Sequence, residues 1–375
     1  MSGKILALRA IPAVVAIALA AAPAAARAVP SKFWGVVPQA TPTLAQLERV
    51  HRGGVDSIRV SVVWPAVQSG STDPFSWSGV DRQVENATLA GIEVLPILAG
   101  APEWAVPSAF VPGSHRSVRT SRNLPASGAA AAGWSRFVSA AVARYGAGGS
   151  FWSEHPTLPQ RPLRTWQIWN EENFKYFVVR PNPAEYGKLV KLSFTAARSI
   201  DPGAKLVLGG MFARPREALF KAKPRQAYFA TEFLDRLYET TPGIRSKFIG
   251  VALHPYTTAY QQLTPDIEEF RTVLKAHHDA GKGLWITEIG WSSQPRAGHD
   301  GFAKGAKGQV AQLNGAFDLF RRNQARWRLQ RIYWFSIDDQ AGSCNFCDGT
   351  GLFKKGFVPK KSWFAYVKFA GGSPR

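Results

Sequence analysis

Two stretches of this sequence end an apolar run in a carboxylate. From Arg164 to Asn173 the chain reads Arg-Thr-Trp-Gln-Ile-Trp-Asn-Glu-Glu-Asn, so the run stops at Asn170 and Glu171. From Leu284 to Trp291 it reads Leu-Trp-Ile-Thr-Glu-Ile-Gly-Trp, and the acid is Glu288. A carboxylate in a core is costly, so an acid at the end of a buried-type strand needs a reason. Two glutamates brought together can work as a pair. One protonates a leaving oxygen while the other attacks carbon or activates water, which is what cleavage of a glycosidic bond requires. The two roles need opposite protonation states, and therefore different surroundings.

Such a pair must be held by elements that converge. Eight mostly apolar or β-branched runs read as buried strands: 33–37, 57–63, 93–98, 164–169, 205–209, 248–253, 284–287 and 332–336. Helix patterns lie between them, at 43–52, 80–90, 129–145, 183–199, 227–239, 265–280 and 309–323, with a last one at 362–369. Thr43 is a cap candidate, Gly91 and Gly146 are stops, and Pro183 sits at a first helical position after Asn182. Strand and helix alternating eight times predict an α/β fold, a single (β/α)8 TIM barrel. A doubly wound sheet would show a glycine-rich phosphate turn after an early strand, and none is present. Glu171 then ends the fourth strand and Glu288 the seventh. In a barrel these strand ends meet at the C-terminal face. Long loops at 100–128 and 211–225 predict a cleft or lid over that face.

The pattern resembles the retaining glycoside hydrolases of the 4/7 superfamily (clan A), most closely family 39, with family 5 second. The resemblance covers nearly the whole chain after residue 28, as eight strands in order. It implies that Glu171 is the acid/base and Glu288 the nucleophile, with no metal and no cofactor. It also implies that Asn170 binds the sugar 2-hydroxyl and that Arg59, in Ile58-Arg59-Val60, keeps Glu288 ionised. In His254-Pro-Tyr256, Tyr256 would hydrogen-bond the nucleophile and His254 would order the site. Trp334 would be an aromatic platform under a sugar ring. The sequence departs from family 39 at Glu172, where the family commonly has Pro. Neighbouring side chains point apart, so Glu171 and not Glu172 is expected to face the site. Trp64, Trp104 and Trp291 fit either a subsite or a core. A transglycosylase using the same residues, or a non-catalytic extracellular carbohydrate-binding barrel, are the other readings.

Composition bounds the rest. The 375 residues are 45% hydrophobic, which excludes a disordered chain. Lys and Arg number 46 against 26 Asp and Glu, a net charge of +20. That balance suits an acidic polysaccharide partner, whereas no zinc finger, helix-turn-helix signature or RNP box accompanies it, so no nucleic-acid partner is expected. Residues 1–28 read as a signal peptide, with Lys4 and Arg9, an apolar run and Ala26-Arg27-Ala28 before the cleavage point. The run is short for a membrane span. Residues 29–375 would then form one secreted catalytic domain without membrane insertion, the alternative being an N-terminal anchor at the cell surface. Oligomeric state is not legible. Cys344 and Cys347 follow the eighth strand, and in an exported protein a local disulfide is the expected reading. A free dithiol, a metal half-site or a redox motif are the alternatives, but further zinc ligands and a thioredoxin-like context are lacking.

Overall fold

The computed structural model describes residues 29–106, 120–295, 301–340 and 347–375, together with the backbone of 109–110 and 117–118. The expected signal peptide, 1–28, lies outside the described residues. Eight parallel strands close into a barrel: β1 (Trp34–Val37), β2 (Ser57–Val63), β3 (Glu93–Ala99), β4 (Thr165–Ile168), β5 (Lys205–Phe212), β6 (Gly250–His254), β7 (Gly283–Ile289) and β8 (Leu329–Phe335). Each pairs with its neighbours in chain order. β1 closes the ring on β8, from Trp34 opposite Ile332 to Val37 opposite Phe335. β2 and β3 pair along their whole length, from Ser57 opposite Glu93 to Val63 opposite Ala99. The TIM barrel expected from the alternation is therefore the observed fold.

The principal helices form the outer layer: α1 (Leu44–Arg52), α2 (Ser78–Leu89), α3 (Gly128–Tyr145), α4 (Pro183–Ile200), α5 (Ala230–Thr240), α6 (Leu263–Ala276), α7 (Gly305–Trp327) and α8 (Lys361–Ala370). Local chemistry sets their starts. Thr43 caps α1 in a reciprocal box with Gln46. Asn182 accepts from the backbone N–H groups of Ala184 and Glu185, ahead of Pro183. Three short helical turns, Trp64–Val67, Ser150–Glu154 and Glu217–Phe220, were not expected. At four or five residues they show no periodicity that a sequence pattern could reveal.

Two apolar layers hold the barrel. Val37, Leu95, Val207, Ala252, Trp285 and Tyr333 fill its interior. Outside, the strands pack on helices through aromatic rings. Trp34 stacks on Phe317 of α7 at 4.5 Å, and Trp64 stacks on Phe137 of α3 at 5.8 Å. Burying one such Phe side chain contributes roughly 1.5–3 kcal/mol. No helix among the described residues is long and apolar enough to cross a membrane. Cys347 is buried and disulfide-bonded, while Cys344, its expected partner, lies outside the described residues.

Candidate active site

The backbone at the end of β4 does the first positioning. Trp169 and Glu171 both have positive φ, 69° and 44°, a conformation that side chains with a Cβ adopt rarely. The alternation of a strand is thereby broken, and three consecutive polar side chains reach three places. Asn170 meets Arg59, Glu171 meets His254, and Glu172 turns toward Tyr186 on α4. The loop is fastened from behind by Asn173. Its amide donates to the carbonyls of Phe212 and Tyr228 at 2.8 and 2.7 Å and accepts from Phe212 N at 2.9 Å. The Glu171 backbone N–H donates to Gly210 O at 3.1 Å.

Two adjacent glycines on β5 make room for opposite sides of this arrangement. A Cβ at Gly210 would lie 1.9 Å from His254 Nε2, and one at Gly209 would lie 1.9 Å from Glu172 Oε2. Both separations are impossible for real atoms, so the imidazole and the Glu172 carboxyl each occupy the space of a missing side chain.

Arg59, on β2, is the hub. Fully inside the barrel, it donates through Nη1 to Glu288 Oε1, through Nη2 to Asn170 Oδ1 at 2.6 Å, and through Nε to Gln167 Oε1 at 2.7 Å. The second oxygen of Glu288 accepts from the Tyr256 hydroxyl at 2.9 Å. Glu288 thus has a cation on one oxygen and a neutral donor on the other.

Glu171 has the opposite environment. It is buried, and its carboxyl oxygen Oε1 lies 2.9 Å from His254 Nδ1. Burial, reinforced by the charge of Glu288, pushes its pKa well above the ordinary carboxylate range, against a smaller pull from Arg59. The same burial, helped by Arg59, holds His254 well below the usual imidazole range, so the ring is neutral. A neutral imidazole has one donor and one acceptor nitrogen. Gln167 ties the ring to Arg59 through Thr287. Its oxygen is taken by Arg59, so its nitrogen donates, to Leu208 O at 3.1 Å and to Thr287 Oγ1 at 3.3 Å. The same Thr287 hydroxyl lies 2.9 Å from His254 Nε2. One ring nitrogen thus faces Glu171 Oε1 and the other faces Thr287 Oγ1.

Glu171, His254 and Glu288 offer donor atoms that all lie within 4.8 Å of one another. A metal ion could span that spacing, but the Arg59 guanidinium already supplies a positive charge at Glu288.

The structure thus brings Arg59, Asn170, Glu171, His254, Tyr256 and Glu288 to one place. It does not bring Trp334. That side chain is fully buried on the outer face of β8, donating to Thr350 O at 2.9 Å and packing on Trp291 and Phe317. Strand alternation explains the correction. The neighbour Phe335 faces the barrel axis instead, with its ring 6.4 Å from Tyr256. Trp64 and Trp291 are likewise fully buried.

Sequence reasoning missed Gln167 and Thr287, which lie one and two residues inside the ends of β4 and β7. Their signal was present: polar side chains in otherwise apolar runs. It also missed an aromatic wall beside the carboxyls. Phe174 stacks on Phe212 at 5.0 Å, Phe212 faces Tyr256 at 6.1 Å, and the exposed Tyr176 packs edge-on against Phe174 at 4.9 Å.

No family model and no curated protein matches the sequence. Solved structures do match the fold. A family 39 glycoside hydrolase from Bacteroides cellulosilyticus WH2 superposes with a TM-score of 0.64 at 18% identity, over 92% of this chain and 65% of that one. A GH39 β-xylosidase from Caulobacter crescentus gives 0.62 at 20% identity, over 93% and 73%. A GH5_18 protein from Bifidobacterium longum subsp. infantis gives 0.62 at 14% identity, over 91% and 78%. The chain therefore spans about two thirds to three quarters of the length of these structures. The resemblance read from the motifs, to family 39 first and family 5 second, is also the resemblance of the folded chain, and at these identities it is a likeness of fold.

Proposed function

We propose that the protein is a retaining glycoside hydrolase that cleaves O-glycosidic bonds by double displacement. One observation carries the reading. Two carboxyls with oxygens within 4.8 Å of each other sit in opposite environments, Glu171 buried against a neutral imidazole and Glu288 against a guanidinium. Retaining chemistry uses carboxyls about 5–5.5 Å apart, whereas inversion needs a gap of about 6.5–9.5 Å to admit water.

In this reading Glu171 gives its proton to the glycosidic oxygen while Glu288 attacks the anomeric carbon. The C–O bond breaks, the alcohol leaves, and the sugar is held as an ester on Glu288. Glu171, now a carboxylate, takes a proton from water as the water displaces the ester. Asn170 gives its oxygen to Arg59, which leaves its NH2 group to donate to the substrate. Tyr176, Phe174 and Phe335 offer faces for sugar rings. The first 28 residues serve export, and residues 29–375 form the catalytic domain. Xylosides head the list of substrates, because a matching structure from Caulobacter crescentus is described as a β-xylosidase.

The test is to follow the first product by NMR with a panel of aryl glycosides. Retention of anomeric configuration is expected, with Glu171→Gln and Glu288→Gln each lowering turnover by about 10²–10⁴-fold. Inverted product, or full activity in both variants, overturns the reading. A bound but uncleaved sugar would favour the carbohydrate-binding alternative.

A further inference from the structure

The opposite end of the barrel holds a concave site away from the carboxyl pair. A cavity of about 560 Å³ opens among the starts of β3, β4, β7 and β8 and the segment leading into β4. Its size falls within the range of about 300–1,000 Å³ typical of small-molecule sites. The walls carry Lys32, Arg161, Arg164 and Arg331 against one acid, Glu93. Glu93 is committed. Burial alone would raise its pKa, yet Arg331 and Lys32 hold it below the ordinary value, and it bonds to both, with Arg331 Nη2 at 2.7 Å. It fixes these two cations in place but neutralises only one charge. Asp201, which is not a wall residue, holds Arg164 at 3.0 Å. Arg161 donates to Gly91 O, a neutral partner, at 2.7 Å. The cavity keeps an excess of positive charge with guanidinium donors at its rim.

Trp285 also lines this cavity. The ring lies where a Cβ of Gly250 would be, 1.9 Å from Trp285 Cζ3, and a Cβ at Gly283 would be 2.8 Å from the same atom. Two strand-starting glycines are therefore what admits an indole here. Trp285 precedes Glu288 by three residues on β7, which places this cavity about 10 Å below the carboxyl pair along the strand.

We propose that this N-terminal mouth is a binding site for an anionic sugar, a pyranose ring carrying a carboxylate or a phosphate. The ring would lie against Trp285 and the anion would meet Arg161 and Arg164. The site is separate from the carboxyl pair and does not depend on the reaction proposed there.

The test is titration calorimetry of the purified protein with glucuronate, glucose 6-phosphate, glucose and inorganic phosphate. Arg161→Gln/Arg164→Gln is the comparison, since both side chains are exposed and outside the catalytic machinery. The proposal expects one of the two anionic sugars to bind, more weakly as salt rises. Neutral glucose and inorganic phosphate should bind at least about tenfold less tightly. The double variant should lose about tenfold or more in affinity, and Glu288→Gln should lose none. A preference for glucuronate or for the phosphorylated sugar decides which anion the site takes. Binding of neither, phosphate binding as tightly as both sugars, or affinity unmoved by the double variant overturns the proposal. So does affinity lost in Glu288→Gln, which would assign the binding to the catalytic face. Loss of catalysis in Glu171→Gln with sugar binding intact leaves this site standing whatever the fate of the hydrolase reading.

Discussion

His254 Nδ1 lies 2.9 Å from Glu171 Oε1, and both side chains are buried. Burial and the Glu288 charge keep the Glu171 carboxyl protonated, and the neutral ring orients it, which is the state an acid catalyst needs before the first step. Glu171 should therefore be protonated at neutral pH. Part of its shift comes from the negative charge of Glu288. Replacing Glu288 by Gln should lower the Glu171 pKa, and carbon-13 NMR of labelled glutamate can follow it. An unchanged or higher value would show that Glu288 carries no charge beside it.

The orientation of His254 is set from Arg59 through Gln167 and Thr287. Thr287→Val keeps the shape and removes the hydroxyl that bonds Nε2. Turnover should fall about tenfold, in line with roughly 1.4 kcal/mol for a buried hydrogen bond. The alkaline limb of the pH profile should move while KM changes little. Thr287→Ser should restore both. A variant with lowered stability but an unmoved pH profile would make Thr287 a packing residue only.

Glu172 is fully buried beside Tyr186, and burial pushes its pKa up to about 8 against smaller pulls from its hydrogen bonds and from Arg59. Its folded pKa lies above the ordinary value of 4.5. The unfolded chain therefore releases this proton first, and the fold loses stability as pH rises from about 4.5 to about 8, at up to about 1.4 kcal/mol per unit. Below that window the contribution is fully present. Glu172→Gln should flatten the fall in denaturation free energy across it. A slope identical to that of the parent would mean that Glu172 is charged and paired in the fold.

Tyr176 is 60% exposed and packs edge-on against Phe174 beside the carboxyls. Tyr176→Ala should raise KM for an oligosaccharide several-fold and leave kcat for a small aryl glycoside near that of the parent, as expected for a ring-stacking surface. An equal loss in kcat on both substrates would place Tyr176 in the chemistry instead.

Much of this was legible in the sequence. All eight strands read as apolar runs because a parallel strand covered on both faces has no polar side to show. The carboxyls stood out because acids interrupt those runs. Trp334 was misplaced because an apolar strand end gives no sign of which face is the barrel interior. The positive φ at Trp169 and Glu171 was invisible, since neither residue type announces it. Gln167 and Thr287 carry no meaning until the strands close, when they become the link between the two carboxyl environments.

The most direct test is mass spectrometry of the protein inactivated with a panel of activated 2-deoxy-2-fluoro glycosides, which slow hydrolysis of a sugar ester. The account predicts one added sugar on the peptide containing Glu288, and none in Glu288→Gln. A sugar found on the Glu171 peptide, or active enzyme that gives no adduct and releases inverted product, would contradict it.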